Sequence, residues 1–199
     1  MTVSDIRELD RRAVLASVEV VSRVTPEDLG RATPCSEWTL ADLLAHMTVQ
    51  HYGFAAAAAG GGADLALWRA SPLGEDPVSD YADAADHVIA AFAEDGVAQR
   101  AFLLPEISTE TRLPGSRAIG FHFVDYIVHS WDVARSLGIA LRLPEDLLRA
   151  ALPIARAVPD GAQRQEPGAA FKPGLPVLDQ LDLLDQMVAL LGRSPFWPN

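Results

Sequence analysis

Apolar residues recur every three or four positions over most of the chain, the pattern of helices that bury one face. A first helix is predicted from about Ser4 to Val24, with Ile6, Leu9, Ala13, Ala16 and Val20 as its stripe. Thr25-Pro26 ends it. A second begins at Thr39, where Thr39-Leu-Ala-Asp42 resembles a capping box, and runs to the glycines at 60–62. The third spans roughly Ser79 to Glu94, with Tyr81, Ala85, Val88, Ile89 and Phe92 inward and Asp83, Asp86 and His87 opposite. A fourth runs from about Ser116 to Leu137 and stops at Gly138. Pro144 is placed to start a fifth, ending near Pro159, and a last helix carries Leu181, Leu184, Val188 and Leu191.

No segment alternates apolar and polar residues for long, so a sheet is not expected. The pattern predicts an all-α chain, residues 1–199 forming one domain. The first four helices make a four-helix bundle, and the two C-terminal ones pack outside or cap it. The long segment before the third helix suggests a crossover rather than a tight hairpin.

Composition narrows the function. Hydrophobic residues make up 49% of the chain, ample for a core, yet no run is long and charge-free enough to span a bilayer. The polar start MTVSDIRELDRR lacks the apolar segment of a secretory signal, so the protein is expected in the cytoplasm. The net charge is −11, arginines are scattered, and Lys172 is the sole lysine. Nucleic acid and anionic lipid are therefore not expected partners. Cys35 is the single cysteine, which excludes an internal disulfide and a cysteine-based zinc site. Histidines and carboxylates would have to hold any metal.

The fourth helix carries the chemistry. From Gly120 to Arg135 nearly every residue is apolar or aromatic, except His122, Asp125, His129 and Asp132 at three- and four-residue spacing. At about 100° per residue these four share one narrow strip. A helix apolar elsewhere is buried, and burying four ionisable groups costs several kcal/mol unless something compensates. A cation compensates directly. Asp125 and His129, four apart, would give it two ligands, and His46, between the core residues Leu43 and Met47, is the best third.

On spacing and burial alone, a metal site and an internally hydrogen-bonded strip stand level. His46 by itself also fits a satisfied core histidine. Asp83 and His87 share the Asp125–His129 spacing but face away from their stripe, and are read as solvated. His122 could replace a ligand, but a place behind the ligands or on a cavity wall is favoured. Asp132 either orients His129 or bonds Arg135. His51 points away from His46. Cys35 packs as a small hydrophobe or plugs a loop, and Trp38 and Trp131 are read as core.

The stretch Thr33-Pro-Cys-Ser-Glu-Trp-Thr-Leu-Ala-Asp-Leu-Leu-Ala-His46, followed by Asp125-Tyr-Ile-Val-His-Ser-Trp-Asp-Val-Ala-Arg135, resembles the DinB-like superfamily. Within it the chain is most similar to actinobacterial proteins related to the metal-binding domain of mycothiol-dependent maleylpyruvate isomerase. The closing Leu190-Leu-Gly-Arg-Ser-Pro-Phe-Trp197 fits single-domain members. The resemblance implies a four-helix bundle with a divalent metal at one end of its core, usually zinc, with nickel or iron as the other candidates. It places the ligands at His46, Asp125 and His129. The isomerase has glutamate where this chain has Asp125, and it carries a further C-terminal domain for which this chain is read as having no room.

Three protein ligands would leave a coordination position open, as at catalytic zinc. The resemblance then implies a low-molecular-weight thiol of the mycothiol type as cosubstrate and a small electrophile as substrate. The first reading is a thiol-dependent transferase or isomerase-like enzyme. The second is a metal-binding sensor or partner-binding module without catalysis, and the third a plain bundle. A homodimer is compatible with all three.

Overall fold

The computed structural model describes residues 5–35, 37–166, 169–178 and 180–198. Six helices dominate: α1 (Ile6–Val21), α2 (Leu40–Ala58), α3 (Pro77–Ala93), α4 (Gly115–Leu137), α5 (Glu145–Arg156) and α6 (Leu183–Leu190). The expected helix start at Ser4 lies outside the described residues.

Local chemistry sets several of these boundaries. Asp5 caps α1 by accepting the Arg7 amide. The Thr39–Asp42 capping box forms as expected, each side chain accepting the other residue's backbone N–H. Asp76 caps α3 ahead of Pro77, whose missing N–H would be unsatisfied at that position in any case. Gly138 ends α4 at φ 69°, a left-handed conformation open to glycine at little steric cost.

In the bundle α1 neighbours α4 and α3, and α2 neighbours α3 and α4. The α1–α2 and α3–α4 connections therefore run along the diagonals. The α2–α3 connection, expected as a crossover, joins two helices packed directly on each other. Leu43, Leu44, Met47, Tyr81, Tyr126 and Val133 share one core layer with Val14 and Val21 of α1. A second layer gathers Phe54, Trp68, Val88, Phe92, Phe102 and Ile119. As expected, α5 and α6 lie outside the four, covering the far side of α1 and α4 with Leu147, Ala151, Met187 and Val188.

A small sheet is present where none was expected. β1 (Ala101–Leu103) and β2 (Arg112–Pro114) pair antiparallel, with Phe102 opposite Leu113. Three residues per strand are too few to show an alternating pattern, and Phe102 is their one fully buried side chain. The hairpin lies on the diagonal connection and presents its loop to α2, where Gln50 Nε2 donates to Glu106 at 2.9 Å.

Candidate metal centre

His46, Asp125 and His129 meet at one point, although they come from two helices. Each offers a donor atom within 4.8 Å of the others. Nε2 of His129 lies 3.4 Å from Oδ1 of Asp125. Two ligands of a tetrahedral zinc, each about 2.1 Å from the ion, stand about 3.4 Å apart. The His46 and His129 rings meet edge to face, with centroids 5.4 Å apart.

The orientation of His129 is fixed from behind. Its Nδ1 donates to Oδ2 of Asp132 at 2.9 Å. An ionised carboxylate only accepts, so the Nδ1 proton belongs to the ring and Nε2 faces Asp125 and His46. Asp132 also receives Nε of Arg193 on both oxygens, at 2.9 and 3.0 Å. The Cys35 thiol donates to Asp132 at 3.2 Å, and an Nη of Arg193 reaches Sγ of Cys35 at 3.3 Å. Asp132 and Arg193 are both buried.

Electrostatics divides the two histidines. Burial, then the charge of His129, pulls His46 down to about 4, so its lone pair is free at neutral pH. Burial also pulls on His129, but Asp125 and the bond to Asp132 outweigh it and raise it to about 10. Asp132 is lowered to about 2: burial opposes ionisation, and Arg193 and His129 overcome it. A metal taking Nε2 of His129 would thus displace a proton and leave the carboxylates to balance its charge.

Cys35, His129 and Asp132 form a second group of three potential ligands. Arg193 already supplies the positive charge there, which disfavours a second cation. The first group, which no arginine hydrogen-bonds among the described residues, is the better candidate of the two.

The segment ahead of α2 completes the site. The Thr33 hydroxyl reaches the carbonyls of Cys35 and Trp38, at 3.0 and 3.1 Å. This pins the turn that holds the thiol beside Asp132 and the indole against His46, with ring centroids 4.8 Å apart. Trp38 is 37% exposed, so it walls the site rather than filling the core as expected. Cys35 is neither a plain hydrophobe nor a plug, because it bonds Asp132. Asp132 orients His129 and bonds Arg193, whereas Arg135 turns to the Pro195 carbonyl. Trp131 is core, as expected, and Asp83 and His87 are exposed. His122 does not join the ligand point: its Nδ1 meets Asp10 of α1.

Sequence reasoning missed Arg193 and Asp10. Arg193 lies 61 residues from Asp132, beyond any helical spacing. Asp10 carried a usable signal, because it sits among the buried Leu9, Ala13, Val14 and Ser17 of α1.

Comparison with known proteins bears on the family and the fold. Residues 11–134 match the family model of the mycothiol maleylpyruvate isomerase N-terminal domain. Two Mycobacterium tuberculosis proteins, the uncharacterized proteins MT0763 and Rv0738, are each 33% identical over 190 residues, covering 92% of this chain and 95% of theirs. The crystal structure of the mycothiol-dependent maleylpyruvate isomerase superposes with TM-score 0.65 at 14% identity, over 98% of this chain and 90% of that one. A histidine-to-alanine mutant of that isomerase gives TM-score 0.60 at 14% identity, over 78% and 70%. The first superposition reaches past residues 11–134 of the family-model match into the α5–α6 region, and its 90% coverage of the isomerase runs against the expectation that this chain has no room for that protein's further C-terminal part. The chain belongs to the mycothiol maleylpyruvate isomerase N-terminal domain family.

Proposed function

We propose that this protein binds a divalent metal, zinc foremost, through His46, Asp125 and His129, and uses it in a thiol-dependent transferase or isomerase-like reaction. The observation that carries the reading is the convergence of three donors from α2 and α4, with the Nδ1 of His129 taken by Asp132. Metal-binding histidines ordinarily have their second nitrogen held in this way. Zinc so placed would lower the pKa of a thiol in its open position and supply a nucleophile near neutral pH. Family membership points to a thiol of the mycothiol type, with a small electrophile as its target.

The chain's own groups then have distinct tasks. Asp125 and His129 fix one side of the site from α4, and His46 the other from α2. Trp38 gives an apolar wall against which a substrate lies and keeps the His46 ring in place. Asp132 and Arg193 set the direction of His129 without reaching into the open face.

Elemental analysis of the purified protein, with and without chelation, tests the metal. Thiol consumption with a panel of electrophiles tests the reaction. The expected result is one zinc per chain and turnover that chelation abolishes. Zinc without thiol consumption would favour a metal-dependent sensor or partner-binding module, and a metal-free active protein would overturn the reading.

A further inference from the structure

Behind the candidate metal centre lies a second group of ionisable side chains, fully enclosed. Nδ1 of His122 bonds Oδ1 of Asp10 at 2.6 Å, and Nε2 of His122 bonds Nδ1 of His51 at 3.2 Å. All three side chains are at most 1% exposed. Among the described residues, two buried side-chain polar atoms have no hydrogen-bond partner, Oδ2 of Asp10 and Nε2 of His51. They are the two ends of this string. A structural network would be closed off where it stops, because an orphaned buried polar atom costs about 1–3 kcal/mol. This one is open at both ends.

Its placement relates it to the site. His122 precedes Asp125 by three residues on α4, and His51 follows His46 by five on α2, so the string lies about one turn deeper along the bundle. At the other end, Asp10 borders a groove of about 250 Å³ between α1 and the end of α3, with Arg7, Arg11, Ile89 and Phe92. Arg7 is tied to Asp5 and Arg11 to Glu8, so neither neutralises Asp10. The remaining surroundings are weakly polar or apolar. His51 stacks on Tyr126 of α4, with centroids 4.0 Å apart, and faces Tyr81 of α3 at 5.2 Å. His122 faces Phe54 of α2, Phe92 of α3 and Tyr126. The Tyr81 hydroxyl is engaged by Ser17 and that of Tyr126 by the Met47 carbonyl. On the site side, Asp125 acts on the hydroxyls of Tyr81 and Tyr126, whose rings pack against His51.

We propose that Asp10, His122 and His51 form a buried relay that takes up the proton a thiol loses at the His46–Asp125–His129 site. The proposal rests on the thiol-dependent reading above. In the resting arrangement His122 carries its proton on Nδ1, toward Asp10, and His51 carries its proton on Nδ1, toward His122. As the S–H bond breaks, its proton passes through water to Nε2 of His51. The Nδ1 proton of His51 moves to Nε2 of His122, and that of His122 to Asp10. The result is a thiolate, two neutral imidazoles and a neutral carboxylic acid, so one negative charge has moved from Asp10 to the sulfur. Burial favours this direction, since it pushes Asp10 up and His51 far down, making a neutral acid and uncharged rings the comfortable states of the enclosed string. The groove beside Asp10 is where the proton later returns to solvent.

Two measurements test this, on wild type, Asp10→Asn and His51→Phe. The first needs neither metal nor thiol. Histidine ring NMR of the metal-free wild type should show both rings as Nδ1–H tautomers, with a far-downfield proton on His122 that disappears in Asp10→Asn. Either ring found as the Nε2–H tautomer breaks the chain and overturns the relay. The second measures the affinity of the zinc-loaded protein for N-acetylcysteine from pH 6 to 8. Because the relay retains the proton, wild-type affinity should change less than about twofold per pH unit. Without it the proton leaves to solvent, and both variants should approach a tenfold change per unit. A tenfold slope in wild type, or a flat one in the variants, overturns the proposal. Wild-type protein that binds zinc but no thiol overturns the thiol-dependent reading and the relay's use together, and the tautomers still report whether the string is ordered as described.

Discussion

Asp132 holds His129 by its Nδ1 at 2.9 Å while Arg193 spans both oxygens of the same carboxylate. One buried aspartate thereby fixes the tautomer of one proposed ligand and anchors the end of the chain after α6 to the centre of α4. The substitution Asp132→Asn keeps the shape and removes the charge. Its amide nitrogen can turn to His129 and reverse the tautomer, so zinc affinity should fall about 10–100-fold. Competition with a chromogenic chelator measures this, and unchanged affinity would show that Asp132 serves only the fold.

Arg193→Met should be a stability variant first. It leaves Asp132 buried with its charge balanced only by His129, and breaking a buried pair on one side costs about 3–5 kcal/mol. Urea unfolding reads the loss. The double variant Asp132→Leu with Arg193→Met should recover much of it, because no unpaired charge remains. A double variant no more stable than the single would mean that the loss is one of packing.

Gly53 gives a prediction about packing that does not involve the proposed ligands. A Cβ at this position would lie 2.7 Å from ring atoms of Trp68, which is itself buried with its Nε1 bonded to the Gly62 carbonyl at 2.9 Å. The indole cannot swing away without breaking that bond. Gly53→Ala should therefore destabilise by about 1–3 kcal/mol, the usual cost of overpacking, and thermal unfolding will show it. The zinc content of the folded fraction should not change.

These sites differ in how far the sequence disclosed them. The four polar residues on the greasy α4 could be read directly, because helical spacing is local and a buried polar strip is conspicuous against apolar neighbours. The caps at Thr39 and Gly138 were equally local. What the spacing could not give is the partner of each polar group. Asp132 had two readings, and the structure chose His129 together with Arg193, a residue remote in sequence. His122 had a reading near the site, and its partner proved to be Asp10, which α1 brings across the bundle. The signal at Asp10 is easily missed, because it replaces an apolar residue on the buried face and shifts the apparent stripe toward Ile6 and Ala16, both only partly buried. The hairpin was illegible for a simpler reason: three-residue strands carry no period.

The proposed ligand set predicts a clear hierarchy of loss. His129→Ala removes the donor whose direction Asp132 fixes, leaving two ligands from different helices. Zinc retention and thiol-dependent turnover should disappear together, while the bundle, built from its apolar layers, stays folded by circular dichroism. Asp125→Glu keeps the carboxylate on a side chain one methylene longer, so zinc should be retained. Turnover persisting in zinc-free His129→Ala protein would exclude the metal mechanism.

The enclosed Asp10 has a measurable consequence for stability, independent of any ligand. Its carboxyl is raised because burial outweighs the attraction of His122. Between the ordinary carboxylate value of about 3.9 and its raised value, the folded chain holds a proton that the unfolded chain has released. Stability must then fall as pH rises through that window, by up to about 1.4 kcal/mol per pH unit, and level off above it. His51 acts in the opposite sense. Burial lowers it, so below about 6.5 the unfolded chain binds the extra proton and stability rises with pH. The difference between wild type and Asp10→Asn removes the His51 contribution to first order, since both proteins carry that ring. Urea unfolding of the two proteins at intervals from pH 4 to 7 should show the variant gaining on wild type as pH rises. Parallel stability curves would mean that Asp10 titrates as an ordinary carboxylate and that its enclosure carries no electrostatic penalty.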